Sequence, residues 1–228
     1  MRQLAYTHID KIMKLDGITK HLIVIENPHE FYNVVNTLNT QTSSSCEGFV
    51  LTENDTMKEI QLSKESDILI DYFNMEFNSK KIQNLINSKA IQLINNSELR
   101  VDFAESAKQI TKFIDSVISR LEIRTISEKE IELIDILKLG NLKILEWYST
   151  PLEMIVNYIN IITKLKRIDI LFLVNVKQIL TEEEMLQLYK HCSYIKLNLV
   201  LIESKVPVRK LEDEEVIHID DDLCEVDY

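Results

Sequence analysis

The chain has 228 residues, 45% of them hydrophobic, and a formal net charge of -11 at pH 7. This length fits one domain or two small lobes, and this apolar content is typical of a globular protein with a buried core. No apolar run reaches the roughly 18 residues of a membrane span, and the first residues form no signal-peptide pattern. We therefore expect a cytoplasmic protein with no membrane partner. The widely spaced Cys46, Cys192 and Cys224 include no CxxC pair, which argues against a disulfide framework or a zinc site.

The negative charge is concentrated at the C-terminal end of the chain. Residues 211–228 contain nine acids and no Lys or Arg, so residues 1–210 carry 28 acids against 26 bases. We expect residues 211–228 to form a flexible acidic end, in preference to a metal site or a phosphate mimic at Asp220-Asp221-Asp222. Because phosphate binding depends on the local potential within a Debye length of roughly 8 to 10 Å, the net charge does not exclude a polyanionic partner elsewhere.

Short apolar runs rich in β-branched residues predict strands that are buried on both faces. Helices between them are indicated by start signals at Asn27-Pro28, Thr150-Pro151, Ser127–Glu130 and Thr181–Glu184, the last two being capping boxes. The strand, helix and strand order of residues 168–202 predicts a parallel βαβ unit. The predicted strands are residues 22–26, 49–52, 68–72, 142–146, 168–174 and 197–202.

Residues 79–139 show helical periodicity only. Within them an apolar stripe steps by three or four residues and must pack on another helix, for which residues 79–94 and 128–137 are the neighbours. The sequence therefore predicts an α/β fold with a head of residues 1–78 and 140–228 and an inserted all-helical leg of residues 79–139. The stripe consists of Phe103, Ala107, Ile110, Ile114, Val117 and Leu121.

The predicted head lacks the residues of a nucleotide site. The strand of residues 22–26 runs into Asn27-Pro28, where a nucleotide-binding protein needs a glycine-rich loop ending in Lys-Ser or Lys-Thr, and proline removes a backbone N–H group. The strand of residues 168–174 ends in Asn175-Val176 rather than in an acidic pair for Mg²⁺. We therefore predict a degenerate P-loop-ATPase-like sheet without nucleotide. No catalytic Ser/His/Asp, Cys/His or paired-carboxylate arrangement is recognisable, so binding is favoured over turnover.

Four segments, residues 139–146, 172–175, 180–184 and 199–203, resemble by their order and spacing the Csn2 family of type II-A CRISPR systems. The resemblance covers nearly the whole chain and is strongest from residue 133 to 203. It implies an accessory factor of spacer acquisition in antiviral defence, with a degenerate-ATPase head, a helical leg and a homotetrameric ring. It also implies that the ring threads linear double-stranded DNA ends without sequence preference or cleavage. The implied partners are the adaptation integrase and the RNA-guided nuclease.

Sequence-independent DNA binding requires Lys and Arg side chains that neutralise phosphates. Residues 79–124 contain eight bases and five acids, and Lys108 and Lys112 share one helix face away from the apolar stripe. Fourfold repetition in a ring would multiply this small surplus, although an ordinary solvated face explains any single lysine equally well. Lys164, Lys166 and Arg167 form a second basic cluster with the same alternative. The candidate DNA-binding residues are Lys80, Lys81, Lys89, Lys108, Lys112 and Arg120.

The resemblance also implies that calcium helps to set the shape of the ring, through carboxylates around the start of the last leg helix. Calcium takes six to eight oxygen ligands, so several acids must converge. Thr125 and Lys129 stand where the family tends to carry acids, and Glu130 has an alternative role in the capping box with Ser127. The candidate calcium ligands are Glu122, Glu128, Glu130 and Asp135.

Two other functions stay open at this point. One is a degenerate-ATPase protein-interaction module without nucleic-acid binding, for which reversing the charge of Lys108 and Lys112 would change no interaction. The other is a metal nuclease, which would cleave linear duplex in the presence of a divalent cation.

Overall fold

A computed structural model describes residues 2–7, 9–44, 48–53, 58–127 and 130–226. It confirms the α/β class that the sequence predicts. The chain forms two compact units: a sheet unit of residues 1–75 and 147–228, and a helical unit of residues 76–146. Within the described ranges, none of the helices combines the length and the hydropathy that a bilayer-spanning segment requires.

Strands and helices are numbered separately in chain order. The strands are β1 (Arg2–Tyr6), β2 (Ile9–Leu15), β3 (Lys20–Ile25), β4 (Phe49–Glu53), β5 (Glu59–Ile60), β6 (Ser66–Leu69), β7 (Ile170–Val174), β8 (Asn198–Glu203), β9 (Glu214–Ile219) and β10 (Glu225–Val226). The helices are α1 (Pro28–Gln41), α2 (Leu62–Glu65), α3 (Lys80–Asn95), α4 (Leu99–Ile118), α5 (Leu133–Gly140), α6 (Pro151–Lys166) and α7 (Glu182–Tyr194), with a 3-10 turn at Val176–Gln178.

The main sheet has six strands in the order β10-β9-β3-β8-β7-β6. Strands β9, β3, β8, β7 and β6 run parallel, and β10 pairs antiparallel with β9. Every residue of β3, β7 and β8 is buried, which explains why these strands are continuous apolar runs rather than alternating ones. The parallel pairing of β7 and β8 around α7 confirms the predicted parallel strands of the βαβ unit.

A second, antiparallel sheet of order β2-β1-β4-β5 shares one core with the main sheet. Phe49 of β4 joins the two sheets, because its ring meets Phe172 of β7 edge-on with ring centroids 6.0 Å apart. Within the antiparallel sheet, the same ring stacks on Tyr6 of β1 at 4.3 Å. Helix α7 contacts β8 and α6. Both helices bury apolar side chains, such as Ile159 of α6 and Leu188 of α7. The central strands therefore lie between two apolar layers.

Three of the four predicted helix starts are confirmed. The Asn27 side chain accepts from the backbone N–H groups of His29 and Glu30, and Thr150 and Thr181 cap α6 and α7 in the same way. The capping box predicted at Ser127 is wrong. Helix α5 begins only at Leu133, and its box is formed by Glu132 and Asp135.

The strand predicted at residues 142–146 is also wrong. This segment is not part of any sheet, and after β6 the main sheet resumes at Ile170. The backbone of Ile144 instead pairs with one side chain: its N–H donates to Asn78 Oδ1 (2.8 Å), and its carbonyl accepts from Asn78 Nδ2 (3.0 Å). An asparagine amide offers the donor and the acceptor that a neighbouring strand would have supplied.

The acidic C-terminal end is not the flexible tail that the sequence predicts. Residues Glu214–Ile219 form β9, which pairs in parallel with the whole of β3. The Glu214 carboxylate is buried and accepts hydrogen bonds from Tyr189 Oη (2.5 Å) and the Leu211 N–H (2.9 Å), and it pairs with Lys177 Nζ at 2.6 Å. These partners compensate the burial of the charge, so an acidic segment can enter the core.

A second buried carboxyl, that of Glu203, ends β8. Glu203 Oε1 accepts from the Lys177 N–H at 3.0 Å. Burial raises the pKa of Glu203 to about 7, and the nearby Glu214 charge acts in the same direction, while the Lys177 N–H and ammonium oppose the shift. Glu203 is therefore poised between its protonated and its charged form near neutral pH.

We expect Ile217→Ala to lower the free energy of unfolding by roughly 2–5 kcal/mol, because it leaves a cavity where β9 meets the shared core. Val226→Ala, in the exposed strand β10, is the matched control and should change stability by less than about 0.5 kcal/mol. Urea denaturation measures both. Equal effects of the two substitutions would mean that β9 is not part of the core.

We expect Glu203→Gln to change the pH dependence of stability. The pKa of Glu203 is raised from 4.5 to about 7 in the folded protein, so below pH 4.5 its carboxyl is protonated in both states and costs no stability. As pH rises through about 7, the free energy of unfolding falls, because the buried carboxyl must ionise. Relative to the original chain, the amide variant should therefore gain stability across this window, on the order of 3 kcal/mol. Denaturation of both proteins at several pH values checks this, and parallel pH profiles would contradict the buried acid.

Candidate nucleic-acid interface

The junction between β3 and α1 is the place where a phosphate loop would lie. Its backbone donors are already occupied: the N–H groups of His29 and Glu30 donate to Asn27 Oδ1 at 3.0 and 3.2 Å, and Phe31 donates to the Asn27 carbonyl. Pro28 has no N–H to offer. The first turn of α1 therefore presents no N–H cradle for a phosphate.

Acidic groups at the β3–α1 junction also disfavour a phosphate there. Glu30 lies buried in the first turn of α1, and Asn27 Nδ2 donates to the Asp221 carbonyl at 3.0 Å, which holds the acidic 220–222 segment beside the junction. Negative side chains at this edge repel a phosphate rather than attract it. Asp220–Asp222 thus belong to the folded edge of the sheet unit.

At the end of β7, Asn175 takes the position where an ATPase would hold a metal. It adopts a left-handed backbone conformation (φ 53°), and its Oδ1 accepts from both the N–H and the Oγ of Ser204 at 2.9 Å. The amide therefore ties the ends of β7 and β8 together. Glu203, next to Ser204, was not singled out from the sequence, although a glutamate at the end of a buried apolar strand is an unusual pattern that could have indicated it.

The candidate DNA-binding residues lie on two helices and a turn of the helical unit. Lys80 and Lys81 begin α3, and Lys89 lies half-buried farther along it, with its Nζ donating to Gln92 Oε1 at 3.3 Å. Lys108 and Lys112 are exposed, one helical turn apart on α4, and Arg120 is exposed just after that helix ends. The predicted stripe also continues past the helix, because Leu121 lies beyond its last residue, Ile118.

The two units differ in charge. Residues 76–146 contain eleven bases and eleven acids, so the net charge of -11 lies entirely in the sheet unit. On α4, Glu105 and Asp115 lie three residues from Lys108 and Lys112, and residues at this spacing are neighbours on a helix surface. Helix α4 therefore has no net positive charge, although the neutral helical unit repels a polyanion less than the acidic sheet unit does.

The second basic cluster is only partly available. Lys166 Nζ donates to the Ser66 carbonyl at 2.6 Å, which fastens the end of α6 to β6, and Arg167 forms the left-handed C-cap of the same helix. Lys166 therefore has a structural role, whereas Arg167 contributes only its backbone to the cap and its side chain, like that of Lys164, is exposed.

The candidate calcium ligands do not assemble within the described part of the chain. Glu122 and Glu130 are exposed outside helices, and Asp135 Oδ2 already accepts the Glu132 N–H at 3.0 Å. Glu128 lies outside the described residues. No group of three or more His, Cys, Asp or Glu side chains suited to a metal ion occurs in the ranges that the structure covers. The described residues of one chain thus do not fit a calcium site by themselves.

The helical unit leaves apolar helix faces uncovered. Helix α4 has no fully buried residue; Phe103, Ala107 and Ile110 are half-buried, and Phe113 is 69% exposed. Among the described residues of this unit, only Phe77 and Ile82 are buried apolar side chains. Such faces are typical of surfaces that become covered in an assembly.

Comparison with known proteins gives one clear result. No curated protein matches the chain. Among solved structures, a putative ABC transporter ATP-binding protein from Pyrococcus furiosus is 14% identical over 94% of this chain and 96% of its own, with a TM-score of 0.38, a similarity that by itself identifies no fold. Residues 41–223 match the family model described as CRISPR-associated protein (Cas_Csn2), which confirms the family that the sequence resembles. Since this match spans most of the chain, the protein belongs to the Cas_Csn2 family of CRISPR-associated proteins.

Proposed function

We propose that this protein is a non-enzymatic, sequence-independent binder of linear double-stranded DNA ends that acts as a homotetrameric ring during CRISPR spacer acquisition. The family match over residues 41–223 carries this proposal, because it makes the protein CRISPR-associated. In this role the ring would hold a DNA end for the adaptation integrase and the RNA-guided nuclease.

The charge distribution supports DNA binding by the helical unit rather than the sheet unit. A duplex is repelled by a unit that carries the whole net charge of -11, whereas the balanced helical unit exposes Lys108 and Lys112 without that penalty. Phosphate contacts of this kind carry no sequence information, which suits a protein that must accept any DNA end. Symmetric repetition in a ring would add up contacts that are weak in a single chain.

The uncovered apolar faces support assembly. A helix of 20 residues without a buried side chain is poorly stabilised by its own unit, since most helical stability comes from packing of an apolar face. Contact with other copies of the chain would cover Phe113 and its neighbours. Calcium binding is part of the proposal only through the assembled ring, where a second copy could complete the carboxylates that one chain leaves apart.

The same apolar faces also favour the second candidate, a protein-interaction module without nucleic-acid binding. The two functions differ in what the exposed lysines do: they are essential for DNA binding and irrelevant to apolar docking.

We expect Lys108→Glu with Lys112→Glu to weaken binding to a short linear duplex by at least about tenfold and to flatten its salt dependence, because phosphate contacts are lost. The matched control is Lys14→Glu with Lys190→Glu, the same charge change at exposed positions of the sheet unit. Mobility-shift titrations at several salt concentrations measure both. Closed-circular DNA should bind more weakly than linear DNA, and equal binding to circles would contradict the threading model. The linear duplex should also stay uncut when a divalent cation is added.

We expect light scattering to show a tetramer whose population rises when a short duplex and calcium are added. Phe113→Glu should shift the mass towards smaller species, because it places a charge on an apolar face that assembly covers. Glu105→Gln, on the charged face of the same helix, serves as the control and should keep the original mass. A monomer under all these conditions would contradict the ring.

A further inference from the structure

The sheet unit contains a cavity that the proposed function does not use. It has a volume of about 240 Å³ and lies beyond the end of β8, between the start of α7 and the loop of residues 204–211, which we call the basic loop. Apolar side chains of Leu180, Met185 and Leu211 line it, together with the buried carboxyl of Glu203. This is the edge of a parallel sheet at which α/β proteins commonly bind ligands.

The walls of this cavity are held in place by buried polar contacts. Glu203 is only 2% exposed and accepts the Lys177 N–H at 3.0 Å, and Lys177 Nζ in turn pairs with Glu214 at 2.6 Å. Glu214 also accepts from the Leu211 N–H, so the end of the basic loop is fastened to β9. A cavity with walls fixed in this way loses little entropy when it is filled.

The rim combines positive charge with uncovered apolar groups. The basic loop contains Lys205, Arg209 and Lys210 and no acid, in a unit that is otherwise strongly negative. Val208 is fully exposed, and Val206 is 38% exposed. Both valines line the cavity, and because Val208 is fully exposed, an occupant no larger than the cavity would leave much of this side chain in water. The fitting occupant is therefore a segment of a macromolecule.

Charge and composition favour a protein over a nucleic acid at this rim. The residues that line the cavity include no aromatic side chain on which a base could stack. Glu182 lines the cavity and is followed by the exposed Glu183, and the lining residue Leu211 is followed by the exposed Glu212 and Asp213. A continuous phosphate backbone would meet these acids close to the basic loop. A short segment with one or two carboxylates can reach the basic loop and avoid these acids.

We propose that this cavity docks a short acidic segment of a partner protein, with one large apolar side chain inserted against Leu180, Met185 and Leu211 and with its flanking carboxylates paired to Lys205 and Arg209. An apolar anchor in a fixed pocket supplies most of the affinity of such contacts, and the rim charges supply selectivity and fast association. The proposal does not depend on the DNA-binding proposal, which concerns the helical unit.

Labelled peptides of the form Glu-Asp-X-Asp-Glu, with X as Ala, Leu, Phe or Trp, test the anchor by fluorescence anisotropy. All four have the same charge and differ only in the side chain offered to the cavity. At least one large apolar residue should give saturable binding that is at least about tenfold tighter than with Ala. If all four peptides bind equally weakly, or none binds, the proposal is overturned.

Charge-reversal variants test the location. Lys205→Glu with Arg209→Glu should weaken binding of the best peptide by at least about tenfold and leave duplex binding unchanged. Lys14→Glu with Lys190→Glu, an equal charge change away from the cavity, should leave peptide binding intact, and circular dichroism melting verifies that both variants fold. Equal loss in the two variants would show a general charge effect and overturn the site. Loss of duplex binding in place of peptide binding would make the basic loop a nucleic-acid contact and overturn it as well.

Discussion

The burial of β3, β7 and β8 on both faces is the constraint on which the sheet unit depends. Three adjacent strands without an exposed residue need two apolar layers, one above and one below the sheet. One set of buried apolar side chains comes from helices α6 and α7, and another comes from α1 and the antiparallel sheet. Arg2 adds a polar link between the sheets, because its guanidinium pairs with Glu65 and with Asp169, directly before the starts of β6 and β7.

The edge of the main sheet where ligands usually bind is filled here by the protein's own polar side chains. Asn27 occupies the donors of α1, Asn175 holds Ser204, and Glu203 receives the Lys177 N–H. These contacts satisfy the polar groups at this edge without a nucleotide or a metal ion. What remains open is the cavity beside the basic loop, whose charge and apolar rim suit a peptide better than a phosphate.

The helical unit follows a different principle. It has few buried side chains and exposes apolar helix faces, so its stability depends on what covers those faces. Its balanced charge also separates it from the acidic sheet unit. The proposed assembly and the proposed DNA binding therefore both concern this unit, while the sheet unit has its own core and the proposed docking cavity.

The amino-acid sequence alone determined those features that depend on neighbouring residues. The caps at Asn27, Thr150 and Thr181 form because the side chain and the N–H groups that it binds lie within three residues, and the central strands follow from uninterrupted apolar runs. The missing phosphate loop and the family resemblance were likewise visible in the order of residues. Of the candidate site residues, the sequence correctly indicated helices for Lys89, Lys108 and Lys112 but could not place their surroundings.

Only the tertiary structure decided which extended segments pair. Strands β1 and β2 were not predicted, because their apolar residues form a buried face only against β4 and the main sheet. Strand β9 was not predicted because it begins in an acidic segment, and the burial of its Glu214 depends on Lys177 and Tyr189. Residues 142–146 have a strand-like sequence but join no strand, and the backbone of Ile144 pairs with the Asn78 side chain instead. The physical reason is one of size: the secondary-structure preference of a residue contributes roughly a fraction of a kcal/mol to stability, whereas burying its side chain against a distant segment contributes several times more.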